Sequence, residues 1–369
     1  MAPPGLEGVI VGRTRLSQVD GIAGTLLLAG HPVEDLAPHA TFEHVVHLLW
    51  HGTLPDDETW ARRLAEHRAV SSEVIDVLRC AATRNASAMS ALRLGVATLG
   101  LDEVSAPRLV AGTPTIVAAY DRIRRGFEPI PPDPDLGLAA DALRMRTGTT
   151  PSEARARALD TYLCTVVDHG LNASAFAARV VASTGASMAS CVEAGLCALE
   201  GPLHGGAPGP ALEALLRLRA AGGDLDARTR GWVRDEVAAG RRIMGFGHRV
   251  YRVRDPRSVV LRQAAAALLG DAPLLHDAEI HERAVLETLA ELKPRRALAT
   301  NVEFATALLL HGLELPEDLF TATFAIARTA GWIAHATEQR ATGRLIRPRL
   351  AYVGPTENTN PPTSSSSRL

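Results

Sequence analysis

Apolar residues recur at helical spacing along most of this chain, and that periodicity constrains the fold more than any other feature. In "TFEHVVHLLWHG" Phe42, Val45, Val46, Leu49 and Trp50 follow i, i+3, i+4, i+7, i+8, with Thr41 placed to cap the first turn and Gly52 to end it. "SSEVIDVLRCAA" repeats the pattern with Val74, Ile75, Leu78, Ala81 and Ala82 behind a serine cap. "TPTIVAAYDRIRRG" sets Pro114 at an expected first turn and Gly126 past the last. "LDTYLCTVVDHG" aligns Leu159, Tyr162, Leu163, Val166 and Val167 on one face. Strand signals are confined to the start, around "GVIVG" and "GTLLLAG", enough for a small N-terminal β-hairpin. The expected class is all-α. "EPIPPDPDLG" (128–137) reads as a rigid surface loop, "GPLHGGAPG" (201–209) as a hinge, and "PTENTNPPTSSSSRL" (355–369) as a disordered tail.

A chain of 369 residues with 46% apolar and 22% charged residues supports a full core of soluble globular type. Its net charge of −2 argues against a nucleic-acid binder. The basic residues are arginines except Lys293, which reads first as codon usage, so arginine count alone carries no argument. Cys80, Cys164, Cys191 and Cys197 form no CxxC and read as buried thiols of a reducing compartment. With no secretory n- and h-region at the start and no bilayer-length apolar run, a cytoplasmic, non-membrane protein is expected.

Three histidines have settings that suit chemistry: His169 in "VVDHGLNAS", His204 in "GPLHGGAPG" and His248 in "IMGFGHRVYRVRDPR". Each alone reads more readily as a turn marker. Two glycine-framed histidines, with Arg249, Arg252, Arg254 and Arg257 following His248, fit a site where backbone approaches a small anion closely. Metal binding fits poorly. His276 and His281 stand five apart in "HDAEIH", "HERAV" lacks the second histidine of HExxH, and the pair reads as a solvated helix face. "GFGHRV" is no dinucleotide fingerprint, and neither a P-loop nor a GxSxG elbow is present. Glu303, in the apolar stretch "ATNVEFATALLLHG", is open to two readings: a helix-start glutamate favouring the dipole, or a general base raised by apolar neighbours. Arg328, in "FAIARTAGWIAHATEQ", sits among small and apolar residues and would need an anion partner. Arg347 lies in "LIRPRLAYVG" near the C-terminus.

The ordered blocks "DHGLNASAFAARVVASTGA", "GPLHGG", "MGFGHRVYRVRDPR", "RTAGWIAH" and "RPRLAYVG" are similar to the motifs of citrate synthases, and the opening segment resembles the short bacterial and archaeal type. The likeness runs from about Gly5 to Gly354. It implies a helical homodimer, with a large domain (1–205 and 309–354), a small domain (206–308) and the site in the cleft between them. It implies condensation of acetyl-CoA with oxaloacetate, followed by thioester hydrolysis, with no cofactor and no metal. By motif position Glu303 would take the methyl proton, His204 would hydrogen-bond the enol oxygen and His248 would polarise the ketone. Arg257, Arg328 and Arg347, the last from the partner subunit, would hold the dicarboxylate, with His169 as a further contact. Gly245, Phe246, Gly247, Arg249 and Arg254 would meet CoA. One residue departs from the pattern: where the family usually carries aspartate, this chain has Glu303, one methylene longer. That departure keeps 2-methylcitrate synthesis from propionyl-CoA open as an alternative, with a non-catalytic dicarboxylate and CoA sensor as a third reading.

Overall fold

The computed structural model describes residues 3–204, 208–247, 251, 253–296 and 298–354. Among these the chain forms sixteen α-helices and one small sheet. The first half contains α1 (Val33–Leu36), α2 (Phe42–His51), α3 (Thr59–Ala65), α4 (Ser72–Thr83), α5 (Ala88–Leu99), α6 (Ala106–Arg124), α7 (Leu138–Thr147) and α8 (Glu153–Val166). The second contains α9 (Ala173–Ala182), α10 (Met188–Glu200), α11 (Pro208–Ala220), α12 (Leu225–Ala238), α13 (Pro256–Leu269), α14 (Pro273–Leu292), α15 (Val302–Gly312) and α16 (Phe320–Thr342). The helix starts follow their capping residues. Thr41, Ser87, Ser152, Asn172, Asp255 and Asn301 each accept a backbone N–H of the first turn. Gly52 ends α2 in the left-handed region, as its position in the sequence implies.

Two local expectations are corrected. The sheet is three-stranded and antiparallel, with β1 (Ser17–Asp20), β2 (Thr25–Leu28) and β3 (His31–Pro32) in the order β1-β2-β3, and Ser17 opposite Leu28. "GTLLLAG" supplies β2, but "GVIVG" stays outside the sheet with Ile10 exposed. Pro114 does not open a helix either. It lies inside α6, which starts eight residues earlier behind the Ser105 cap. Helix length follows tertiary burial here: α6 is buried from Leu109 to Asp121, so packing overrides the local penalty of an internal proline.

α16 is the axis of the core. It packs against α2, α5, α6, α8, α9 and α10, and its buried residues run from Phe320 to Gln339. Such close neighbours need gaps. A Cβ on Gly195 of α10 would stand 2.5–2.8 Å from the Trp332 ring, so only glycine admits that indole. A second apolar cluster of Val233, Ile243, Val285 and Leu289 joins α12 and α14, with Trp232, Phe246 and Leu298 packed on it. The proline-rich 128–137 loop is pinned from beneath. Buried Arg68 donates to the carbonyls of Asp133 (3.2 Å) and Leu136 (2.6 Å) and pairs with Glu43 and Asp141, each at 3.2 Å.

Burial also corrects the reading of two residue groups. Cys164 and Cys191 are buried, whereas Cys80 and Cys197 are exposed. His276 is exposed, but His281 is 1% exposed, stacked between Trp232 and Phe304 with Nδ1 3.1 Å from Thr229 Oγ1. Five residues along a helix turn the chain by 500°, so the two imidazoles point well apart. Burial drives the His281 pKa down to about 4. Because the folded value lies below the unfolded one, stability is full above about 6.5 and is lost as the pH falls towards 4. We expect wild type to lose about 2 kcal/mol more than His281→Phe between pH 7 and pH 5, at about 1.4 kcal/mol per pH unit for one proton. Urea unfolding at the two pH values measures this, and equal slopes would mean that His281 titrates normally.

Candidate active site

Three stretches of chain converge on one buried, charged cluster. α16 carries Arg328, whose Nε donates to the Val166 carbonyl at 2.9 Å where α8 ends. The α13 N-terminus carries Asp255 and Arg257. The Asp255 carboxylate caps the helix and also grips the guanidinium, with Nε to Oδ1 at 3.0 Å and Nη2 to Oδ2 at 2.7 Å. α15 opens with Asn301 and Glu303. Asn301 Oδ1 accepts the Glu303 N–H at 2.9 Å, and Asn301 Nδ2 lies 3.3 Å from Glu303 Oε2.

The glycine loop before His248 is fastened to the base helix by its backbone. Asn301 N donates to Gly245 O at 3.0 Å, Gly247 N donates to Ala299 O at 2.7 Å, and Asn301 Nδ2 donates to Gly247 O at 2.9 Å. Gly245 and Gly247 have φ of 86° and 87°, and a Cβ on Gly245 would press on Phe304 and Ala211. Phe246 turns its ring inward against Phe304 and His281, so its side chain is engaged in packing. Arg254 is exposed. His248 and Arg249 lie outside the described residues, as does Arg252.

Electrostatics sharpen the picture. Burial and repulsion from Arg257 pull the Arg328 guanidinium down to about 10, while Asp168 opposes the fall. Burial also works against the charge on Arg257, but Asp255 overcomes it and the net shift is upward. Burial raises the Glu303 carboxyl above the usual range despite Asn301 and Arg257, in line with the general-base reading. Burial and then the Arg328 charge lower the His204 pKa, which keeps that imidazole neutral near pH 7. Its Nε2 stands 2.9 Å from Ser174 Oγ. His169 follows the end of α8, with Nε2 3.1 Å from Tyr251 Oη, and Tyr251 in turn feels Arg257.

The structure therefore brings His169, His204, Arg257, Glu303 and Arg328 together. Arg347 is not among them in this chain: it is exposed, on a segment tied down by Ile346 N to Ser183 Oγ at 3.0 Å. Sequence reasoning missed Ser174, Asn301 and Asp255, which act through geometry. It also missed Tyr162, whose buried hydroxyl has no partner among the described residues and lies in the field of both Arg328 and Arg257. Among the described residues no group of three or more His, Cys, Asp or Glu could hold a metal, and no helix is long and apolar enough to cross a membrane.

A family model described as "Citrate synthase, C-terminal domain" matches residues 5–349. The chain belongs to the citrate synthase family. It is 40% identical to the citrate synthase of Haloferax volcanii over 95% of each chain, and 36% identical to citrate synthase 2 of Bacillus subtilis over 96% of each. Its fold superposes on the citrate synthase of Thermotoga maritima with a TM-score of 0.87 at 33% identity, across the whole of both chains. The citrate synthase of Thermoplasma acidophilum, solved with carboxymethyl coenzyme A and oxaloacetate, matches at 0.86 and 28% identity, over 97% of this chain and 98% of that one.

The raised Glu303 carboxyl carries a stability prediction with a definite sign. A group whose folded pKa exceeds its unfolded value stabilises at acid pH, and that contribution is lost as the pH rises through the folded pKa. At pH 7.5 Glu303→Gln should therefore unfold at an equal or higher temperature than wild type, and the gap should close towards pH 4. Turnover should meanwhile collapse, because amide replaces the proton acceptor. A lower melting temperature at pH 7.5 would contradict the burial argument, and wild-type turnover would remove Glu303 from the chemistry.

Proposed function

We propose that this chain condenses acetyl-CoA with oxaloacetate and hydrolyses the resulting thioester, releasing citrate and CoA. The observation that carries the reading is the buried Arg257–Arg328 pair beside a raised carboxyl and a neutral imidazole. Two guanidiniums that repel each other out of water favour a dianion, and planar forks suit carboxylates. Asp255 occupies Nε and Nη2 of Arg257, and in this reading the guanidinium's remaining N–H groups serve the ligand's carboxylate. Glu303 takes the proton from the thioester methyl, a weak acid that yields only if the enol oxygen receives a hydrogen bond as it forms. His204 provides that bond. His248 polarises the ketone, and His169 adds a contact to the same substrate. Gly245, Gly247, Arg249 and Arg254 meet CoA, while Phe246 stiffens that loop from behind.

The same reading takes the chain as a cytoplasmic homodimer needing no cofactor, with 206–308 as a small domain. Within that range Val233, Ile243, Val285 and Leu289 form an apolar cluster of their own, while α11, α13 and α15 join the main core. Arg347 reaches into the partner's site. Its segment also exposes Leu350 (98%), Tyr352 (74%) and Val353 (92%), apolar surface that calls for a cover.

Purified protein should release free thiol from acetyl-CoA only when oxaloacetate is present. Faster release from propionyl-CoA would reassign it to 2-methylcitrate synthesis. Release without oxaloacetate would mean simple thioester hydrolysis, and none with either acyl-CoA would mean a binding protein. Separately, Arg347→Ala and His248→Ala proteins, each expected to lose at least ~10²-fold in turnover, should recover part of the activity when mixed under conditions of proven subunit exchange. No recovery would place Arg347 in its own subunit's site or outside the site.

A further inference from the structure

We propose that Tyr162 is a substrate-binding residue, its buried hydroxyl donating a hydrogen bond to a carboxylate of the dianion that Arg257 and Arg328 hold. The inference rests on the function proposed above and adds a donor to its site.

Tyr162 is 0% exposed, and its Oη has no hydrogen-bond partner among the described residues. Arg68, Arg146 and Arg157 also leave a buried Nε unpartnered, but each engages carbonyls through its other nitrogens. The hydroxyls of Tyr120 and Tyr251 meet the Ala86 carbonyl and the His169 ring. A buried hydroxyl without a partner destabilises a fold, whereas a phenylalanine ring would fill nearly the same volume without that penalty. Core packing therefore accounts for the ring of Tyr162 and not for its oxygen.

The surroundings of that oxygen are cationic. Tyr162 lies on α8, which packs against both α13, the helix of Arg257, and α16, the helix of Arg328. Arg328 is held at the Val166 carbonyl, about one helical turn beyond Tyr162. Both guanidiniums act on the phenol, Arg328 more strongly, and neither hydrogen-bonds to it. Burial outweighs them and raises the Tyr162 pKa, so the phenol keeps its proton at neutral pH and can donate. A donor beside two cations that repel each other calls for an anion with several acceptor sites. A carboxylate offers about four, enough to meet a guanidinium fork and the phenol together. Its bond from the O–H, out of water, is of the stronger charge-assisted kind.

Tyr162→Phe removes one oxygen and leaves the ring, and it should move two readouts in opposite senses. Without ligand the Phe protein should unfold at an equal or higher temperature than wild type, because the unpartnered hydroxyl is gone. Its Kd for oxaloacetate, from calorimetric titration of the full chain, should rise about tenfold or more, as for a lost hydrogen bond to a charged group. The KM for oxaloacetate should rise with it, while kcat and the KM for acetyl-CoA stay near wild type, the pattern of lost uniform binding. A hydroxyl with a purely structural role would lower stability and affinity together. Equal oxaloacetate affinity in the two proteins would overturn the proposal. So would a lower melting temperature in the Phe protein or its failure to fold, since either would give the hydroxyl a partner within the fold. Wild type is measured alongside. If it binds oxaloacetate but releases no thiol, the assigned reaction falls and the two Kd values still decide the role of Tyr162. If it does not bind oxaloacetate, the assigned substrate falls and the proposal with it.

Discussion

A guanidinium sealed from water is the constraint around which this molecule is arranged. Arg328 is 2% exposed and is held by the Val166 carbonyl, the face of Phe324 and the field of Asp168. Burying such a charge is tolerable only when the surroundings are stiff and a counter-charge can arrive. α16 supplies the stiffness. Along one stripe Arg328, Trp332, His335 and Gln339 meet Val166, Ser174, Asp168 and Arg179 in turn, at the i, i+4, i+7, i+11 spacing of a single helix face. The α8–α9 connection, which carries His169, and the first turn of α9, which carries Ser174, are thereby measured against a rigid rod. Ser17 of β1 closes the arrangement by donating to Asp168 and accepting from Gly170 N, which gives the small N-terminal sheet a place beside the site.

Glu303 sits on a second rigid part. Asn301 does three jobs with one side chain and its backbone: it caps α15, contacts the Glu303 carboxylate, and holds the Gly245–Gly247 backbone. The base and the loop that leads to His248 thus move as a unit. A glutamate in place of aspartate adds one rotatable bond, and the Asn301 amide beside Oε2 limits that freedom. The longer acid is anchored at both its backbone and its tip.

Much of this was legible because helices advertise themselves. The Thr41 cap, the Gly52 stop and the apolar spacing between them mark α2 almost to the residue. Arg328 was legible as a charge among small apolar neighbours, and His204 and His248 as glycine-framed histidines. The failures share a cause. Pro114 as a helix start, "GVIVG" as a strand and His281 as a solvated side chain were judged from neighbours in sequence, while their outcomes were decided by neighbours in space. Ser174, Asn301 and Asp255 carried no signal because they are common capping residues, and their second roles exist only once distant segments meet. Arg347 illustrates the opposite limit, a residue singled out by its motif that nothing within one chain gathers into the cluster.

The pinned 128–137 loop has a consequence for how this protein can change over time. Glu43 and Asp141, at 2% and 0% exposure, share the guanidinium of Arg68 at 1%; Asp141 also pairs with Arg144, and Arg68 holds the Asp133 and Leu136 carbonyls. Losing Arg68 strands the buried Glu43 carboxylate at about 3–5 kcal/mol, a large share of the roughly 5–15 kcal/mol that keeps a domain folded. Exchanging all three together for well-packed apolar residues could be close to neutral. Intermediates that lack Arg68 but keep Glu43 are the unstable ones. Arg68 is therefore the member a lineage cannot drop first, and the loop it grips keeps its shape although the loop's own surface residues are free to vary.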